Sequence, residues 1–198
     1  FNHPEQQILK ESRVKASVIS NNHLFVSYID GLCKYNTQTF NAEEILFNSK
    51  SLLVNTLTKT NGTVWIATQH NGLLKYENNT LKPSEINLPE NLQINAIHAD
   101  GLVLWISTDA GLFEYHTKTH QLKSLSAQDG LNTAVNDFLM LQNQIIVSLP
   151  KAFYVLPKSD ALFKAFKTAK VRIEAVKIND RDTLVATNYK LPYNLNKI

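Results

Sequence analysis

The chain has 198 residues, 43% of them hydrophobic and 19% charged, and twenty Lys plus Arg against seventeen Asp plus Glu give a formal net charge of +3. This composition can bury a core, and its scattered basic residues exclude the dense stripe that a nucleic-acid partner requires. The single cysteine, Cys33, excludes an internal disulfide and a cysteine-based zinc cluster, and no apolar stretch approaches membrane-spanning length.

Taken in order, the chain is four copies of one unit between two different ends. Residues 1–9 align with Asn41 onward at an offset near forty residues and read as an orphan outer strand. The first copy, about 14–47, has an inner strand Lys15–Ile19, a turn at Asn21-Asn22, strands Leu24–Tyr28 and Leu32–Tyr35, and a fourth strand after Thr39. The second, about 53–88, is the clearest. Asn61-Gly62 is the strongest short hairpin signal, and Val64, Ile66 and Thr68 alternate with Trp65 and Ala67 at the period of a strand. Gly72 then permits a second reversal into Leu73–Tyr76. The third copy, about 94–126, turns at Asp100-Gly101, and the fourth, about 136–167, turns at Gln142-Asn143. Local preference over Ala161–Lys170 allows a short helix, but the repeat predicts a strand at Leu162–Phe166, and the repeat takes precedence.

Equivalent positions fix the alignment. Phe25, Trp65, Trp105 and Ile146 share one place, Gly31, Gly72, Gly111 and Ala152 another, and Lys15, Asn55, Asn95 and Asn136 open their copies. A period near forty residues with four short strands per copy predicts a β-propeller. The fold expected is therefore all-β: four four-stranded blades forming an open arc, an incomplete propeller, over residues 1–167. The first turns should lie on one face and the loops carrying His70 and Asp109 on the other. After Lys167 the pattern changes. A strand over Val171–Ile178 with an irregularity at Ala175-Val176, a turn at Asn179–Asp182 and a strand at Thr183–Thr187 make residues 168–198 the start of a truncated β-sandwich.

The segments Asp129–Asn136, Asn61–Thr68 and Leu104–Phe113 resemble the two-component regulator propeller repeat, which couples an Asp-Gly-Leu lead to a Gly-x-Leu-Trp-Ile-Gly-Thr strand and a Gly-Gly-Leu turn. Ala67 and Ser107 depart from that pattern after Trp-Ile, and the first and fourth copies lack the tryptophan. Residues 168–198 resemble the start of the Ig-like Y_Y_Y domain that follows such propellers. The resemblance implies the periplasmic sensor region of a hybrid two-component histidine kinase, a homodimer in the parent protein that detects oligosaccharides and signals across the membrane. A minority of the family are cytoplasmic regulators with a DNA-binding output. The chain opens on Phe1 rather than Met and shows no signal peptide, so membrane attachment is expected only through a segment outside it. The rival readings are a polysaccharide lyase or hydrolase and a protein-interaction scaffold.

His116 and His120 have the spacing of a helical metal pair, but a strand-turn-strand hairpin does not set them on one face, and no metal or cofactor is expected. Glu43-Glu44 are strand neighbours facing opposite ways, poor partners for acid–base work, so no catalytic residue is assigned. Trp65 and Trp105 fit inter-blade core better than sugar-stacking platforms, and Cys33 fits a small buried hydrophobe. The loops between second and third strands are the binding candidates, because loops on a rigid scaffold carry function. Among them Thr68–Asn71 is one residue longer than its equivalents. Gln69, His70, Asn71 and Asp109 are the candidate ligand-binding residues, although such side chains are also normal in solvated turns.

Overall fold

The computed structural model describes residues 10–131, 133–163, 176–178 and 181–183. It divides into two compact units, Phe1–Lys164 and Ala165–Ile198. The expected orphan strand at 1–9 lies outside the described residues.

Within the first unit, four antiparallel meanders follow one another. The first comprises β1 (Val14–Ser20), β2 (His23–Tyr28), β3 (Gly31–Asn36) and β4 (Ala42–Glu44). A short hairpin of β5 (Leu46–Phe47) and β6 (Lys50–Ser51) separates it from the second meander. That one holds β7 (Val54–Thr60), β8 (Thr63–Thr68), β9 (Leu73–Glu77) and β10 (Thr80–Pro83). The third runs through β11 (Ile94–Asp100), β12 (Val103–Thr108), β13 (Gly111–His116) and β14 (Gln121–Leu125). The fourth has three strands among the described residues, β15 (Asp137–Met140), β16 (Gln144–Ser148) and β17 (Phe153–Pro157). The inner strands β1, β7, β11 and β15 neighbour one another in that order, so each meander is a blade.

The turns follow their residues. Asn21 and Asn22 (φ 45° and 57°) and Asn61 and Gly62 (φ 50° and 76°) adopt left-handed conformations, which asparagine and glycine tolerate and a two-residue hairpin loop needs. The third turn is Gly101-Leu102, one residue beyond the expected Asp100-Gly101, because Asp100 pairs with Val103. There Gly101 takes the positive φ (59°) at the first corner alone. The fourth loop is Gln142-Asn143, closed by a hydrogen bond from the Leu141 N–H to the Gln144 carbonyl.

The positions that open the copies have a structural role. The β1, β7 and β11 registers each skip one residue, Lys15, Asn55 and Asn95. Each of these residues reaches the next blade. Lys15 Nζ donates to the Val54 carbonyl at 2.6 Å, Asn55 Nδ2 to the Ile94 carbonyl at 2.8 Å and Asn95 Nδ2 to the Val135 carbonyl at 2.9 Å. The bulge frees a side chain to staple one inner strand to the next. In the first and third blades, Ser27 and Ser107 accept from the Ala16 and Ala96 N–H groups at the same bulge. We expect Asn55→Ala or Asn95→Ala to cost about 1 kcal/mol, the usual net value of such a bond with a partly buried carbonyl left behind. A urea titration with a lower midpoint and unchanged slope would show it.

Strand alternation sends side chains into successive gaps. Val64 and Ile66 of β8 pack with Phe25, Leu32 and Val54 towards the first blade, while Trp65 and Ala67 pack with Ile97, Leu104 and Ile106 towards the third. Trp105 joins Leu125, Val135, Ile145 and Val147 between the third and fourth. Each gap carries an aromatic pair: Phe25 with Tyr76 at 5.1 Å, Trp65 with Tyr115 at 6.3 Å, and Trp105 with Phe163 at 5.9 Å.

That last pair explains the clearest departure from the repeat. The fourth copy has Leu156 where the second and third have Tyr76 and Tyr115. Phe163 supplies the missing ring from a 3-10 turn over Asp160–Phe163. The strand expected at Leu162–Phe166 therefore gives way to a turn through Phe163, and residues 164–166 lie outside the described ones. Cys33 is buried with Val26, Tyr28 and Tyr35, and burial pushes its thiol pKa up.

Of the second unit, β18 (Val176–Ile178) and β19 (Arg181–Thr183) form an antiparallel hairpin. Arg181 and Asp182, expected within a turn at Asn179–Asp182, pair instead with Ile178 and Lys177, and residues 179–180 lie outside the described ones. Val176 pairs with Thr183, while Ala175 and the rest of the β-sandwich expectations lie outside the described residues.

Candidate functional site

The first turns share one end of the blades. Thr60 Oγ1 donates to the Gly101 carbonyl at 2.6 Å, and Asn61 Nδ2 to Thr117 Oγ1 at 3.4 Å, tying the second blade's turn to the third blade. At the opposite ends of β8 and β12 lie the loops into β9 and β13, anchored by buried threonines. Thr108 Oγ1 accepts from the Ala110 N–H at 3.1 Å and donates to the Gly111 carbonyl at 3.0 Å. Thr68 Oγ1 accepts instead from the Asn71 N–H, one residue further along, at 2.8 Å and donates to the Gly72 carbonyl at 2.8 Å. The same clasp thus holds one more residue in the second blade, and Gly72 (φ 63°) turns the chain back. Gln69, His70 and Asn71 are exposed on the rim.

These three residues form one wall of a groove of about 610 Å³. The connection from β10 to β11 forms the other, with Pro83, Ser84, Pro89, Asn91 and Gln93 along the rim and Ile86 and Leu88 below. Ser84 fixes this connection at both sides: its N–H donates to the Leu73 carbonyl, and its Oγ accepts from the Ile86 N–H. The Gln69 N–H donates to the Leu53 carbonyl at 2.8 Å, so the loop is also tied at its start. Amide, hydroxyl and imidazole groups therefore face an aliphatic floor, a pattern suited to a ligand carrying both hydroxyls and C–H faces.

Asp109 does not join this set. Its Oδ1 accepts from the Gln93 N–H at 3.1 Å, while its own N–H donates to the Gln93 carbonyl. It steadies the strand entry behind the groove. Sequence reading missed the Ser84–Gln93 wall, although Pro83, Pro89 and two asparagines marked a segment longer than a hairpin turn.

The histidine and glutamate pairs weighed in the sequence serve neighbours. His116 Nδ1 accepts from the Thr119 N–H at 3.2 Å, while His120 Nδ1 pairs with the Tyr115 hydroxyl at 2.6 Å, so the two rings do not converge. Glu43 pairs with Lys34 at 2.7 Å and Glu44 accepts from Ser51 at 2.8 Å. Among the described residues no group of three His, Cys, Asp or Glu could hold a metal ion.

Comparison with known proteins places this architecture. No protein-family model matches the chain, and no curated protein sequence does. Among solved structures, it is similar to the extracellular domain of a putative hybrid two-component system from B. thetaiotaomicron. The TM-score is 0.62 at 20% identity, over 74% of this chain and 21% of that one. The extracellular domain of a second such system from the same organism matches at TM-score 0.61 and 13% identity, over 88% of this chain and 26% of that one. PorZ, a surface component of the type-IX secretion system of Porphyromonas gingivalis, matches at 0.56 and 13%, over 79% and 22%. The chain spans about a fifth to a quarter of the length of these relatives. At such identities the likeness establishes the shared fold.

Proposed function

We propose that this chain is part of an extracytoplasmic sensor region of a hybrid two-component system and that it detects an oligosaccharide in the groove between the β8–β9 loop and the Ser84–Gln93 connection. The observation that carries this reading is the groove, where the one lengthened loop of the repeat sets Gln69, His70 and Asn71 opposite Asn91 and Gln93. Two further points support it. The solved extracellular domains of two-component systems share the fold. The groove lining offers hydrogen-bonding groups but no carboxylate, whereas glycoside hydrolysis uses a pair of them. The chain itself performs no chemistry in this mechanism. A ligand that binds one arrangement of the sensor dimer better than another shifts the equilibrium by the difference in its two affinities.

A glycan-binding screen on the 198-residue chain tests the reading. The expected result is an oligosaccharide whose binding weakens at least tenfold in the Gln69→Ala/His70→Ala/Asn71→Ala variant and stays within twofold in Asp109→Ala. Absence of any saccharide binding, or binding untouched by the triple substitution, would overturn it.

A further inference from the structure

We infer that the groove selects uncharged saccharides and rejects those bearing carboxylates or sulfates, an inference that rests on the sensor reading above. The chain as a whole is basic, with a net charge of +3, so overall charge alone would favour anionic ligands. The groove runs against that balance. No Lys or Arg lines it, and these side chains, Arg above all with its bidentate fork, are the ones that hold carboxylate and sulfate groups.

Beside the lining, carboxylates outnumber the lysines, which are paired: Lys82, next to Pro83, holds Glu77 at 2.5 Å. Glu90 lies between the lining residues Pro89 and Asn91 and is exposed. Glu85 follows Ser84 in the same wall and pairs with Lys75 at 2.5 Å. Burial pushes the Glu85 carboxyl up, but its bond to Lys75 outweighs this and holds it below the usual range, so it is ionised at neutral pH. The Lys75 charge is spent on Glu85 and Glu77. Behind the groove, Asp109 accepts from the Gln93 N–H.

An anionic sugar entering here would shed water without gaining a cation and would meet like charge at the rim. A neutral sugar meets donors and acceptors in Gln69, His70, Asn71, Ser84, Asn91 and Gln93, with Pro83, Ile86, Leu88 and Pro89 available to its C–H faces. Amide side chains carry both donor and acceptor atoms, which matches hydroxyls that do the same.

Calorimetric titration of the full chain with matched pairs of oligosaccharides tests this. Neutral galacto-, gluco-, manno-, xylo- and arabino-oligosaccharides are set against oligogalacturonate and sulfated chondroitin oligosaccharides. The expected result is a neutral oligosaccharide bound at least tenfold more tightly than any anionic one, with its affinity changing less than twofold between low and high salt. Glu90→Lys, at an exposed loop position outside the lining, is expected to leave the neutral ligand within twofold and to raise anionic binding severalfold. An oligouronate or sulfated oligosaccharide bound as tightly as the neutral ones, and weakened by the Gln69/His70/Asn71 triple substitution, would overturn the selectivity while leaving the sensor reading standing. Failure of every saccharide to bind would defeat the sensor reading itself, and the selectivity with it.

Discussion

Trp105→Ala is expected to destabilise the protein by about 3–5 kcal/mol, the usual loss when a large buried aromatic is cut back. Trp105 is 2% exposed. It sits between the third and fourth blades with Leu125, Val135, Ile145 and Val147, and Phe163 stacks on its ring at 5.9 Å and 30°. Removing the indole therefore opens a hole shared by two sheets and strips Phe163 of its partner, so neither blade can collapse into the space alone. For a domain of this size the loss corresponds to a melting temperature lower by roughly 10 °C. Asp109→Ala is the control: its exposed carboxylate accepts one backbone hydrogen bond, from Gln93, and the cost is expected to stay near 1 kcal/mol. Thermal melts of both variants make the comparison. Equal, small shifts would show that the tryptophan is not the keystone of that gap.

The same gap shows what the sequence could and could not reveal. Trp65 and Trp105 were legible as core because they recur at one strand position, and alternation at period two fixes which face they occupy. Asn55 and Asn95 were legible as copy openers, but their role was hidden. A bulge that skips one residue has no signature in composition, and the carbonyls they reach lie thirty-nine and forty residues away. The 3-10 turn at Asp160–Phe163 was misjudged for a related reason. Loss of the tyrosine at Leu156 was visible, but only three-dimensional packing shows that Phe163 fills its place. Half of the candidate groove could be read from one extra residue in the Thr68–Asn71 loop. The opposite wall could not, because Ser84–Gln93 has no period, and its approach to His70 is set by the Ser84 hydrogen bond to Leu73. Asp109 shows a contact that the loop's sequence does not carry: its Oδ1 accepts from the Gln93 backbone N–H, sixteen residues away.

Gly111→Ala is expected to be as damaging as the loss of Trp105, for a different reason. Gly111 adopts φ 136°, a region closed to residues with a side chain. A Cβ there would lie 2.1 Å from the Leu125 carbonyl oxygen and 3.1 Å from its carbon. Both contacts are with backbone, so no side chain can swing aside. Relief requires β14 to move away from β13, where Leu112 pairs with Leu125. That movement would withdraw Leu125, 4% exposed, from the cluster around Trp105. It would also disturb the Gly111 carbonyl that Thr108 Oγ1 clasps. The combined cost is expected to exceed about 4 kcal/mol, in the range reserved for a named structural conflict. Gly72, its equivalent in the second blade, separates clash from strain. Nothing lies within 4 Å of a Cβ built there, and its φ is 63°, so Gly72→Ala carries only the left-handed penalty of about 1–2 kcal/mol. Chemical denaturation of the two variants should differ by at least ~2 kcal/mol. If alanine costs the same at both positions, the close approach of β13 to the Leu125 carbonyl is not what fixes glycine in the third blade.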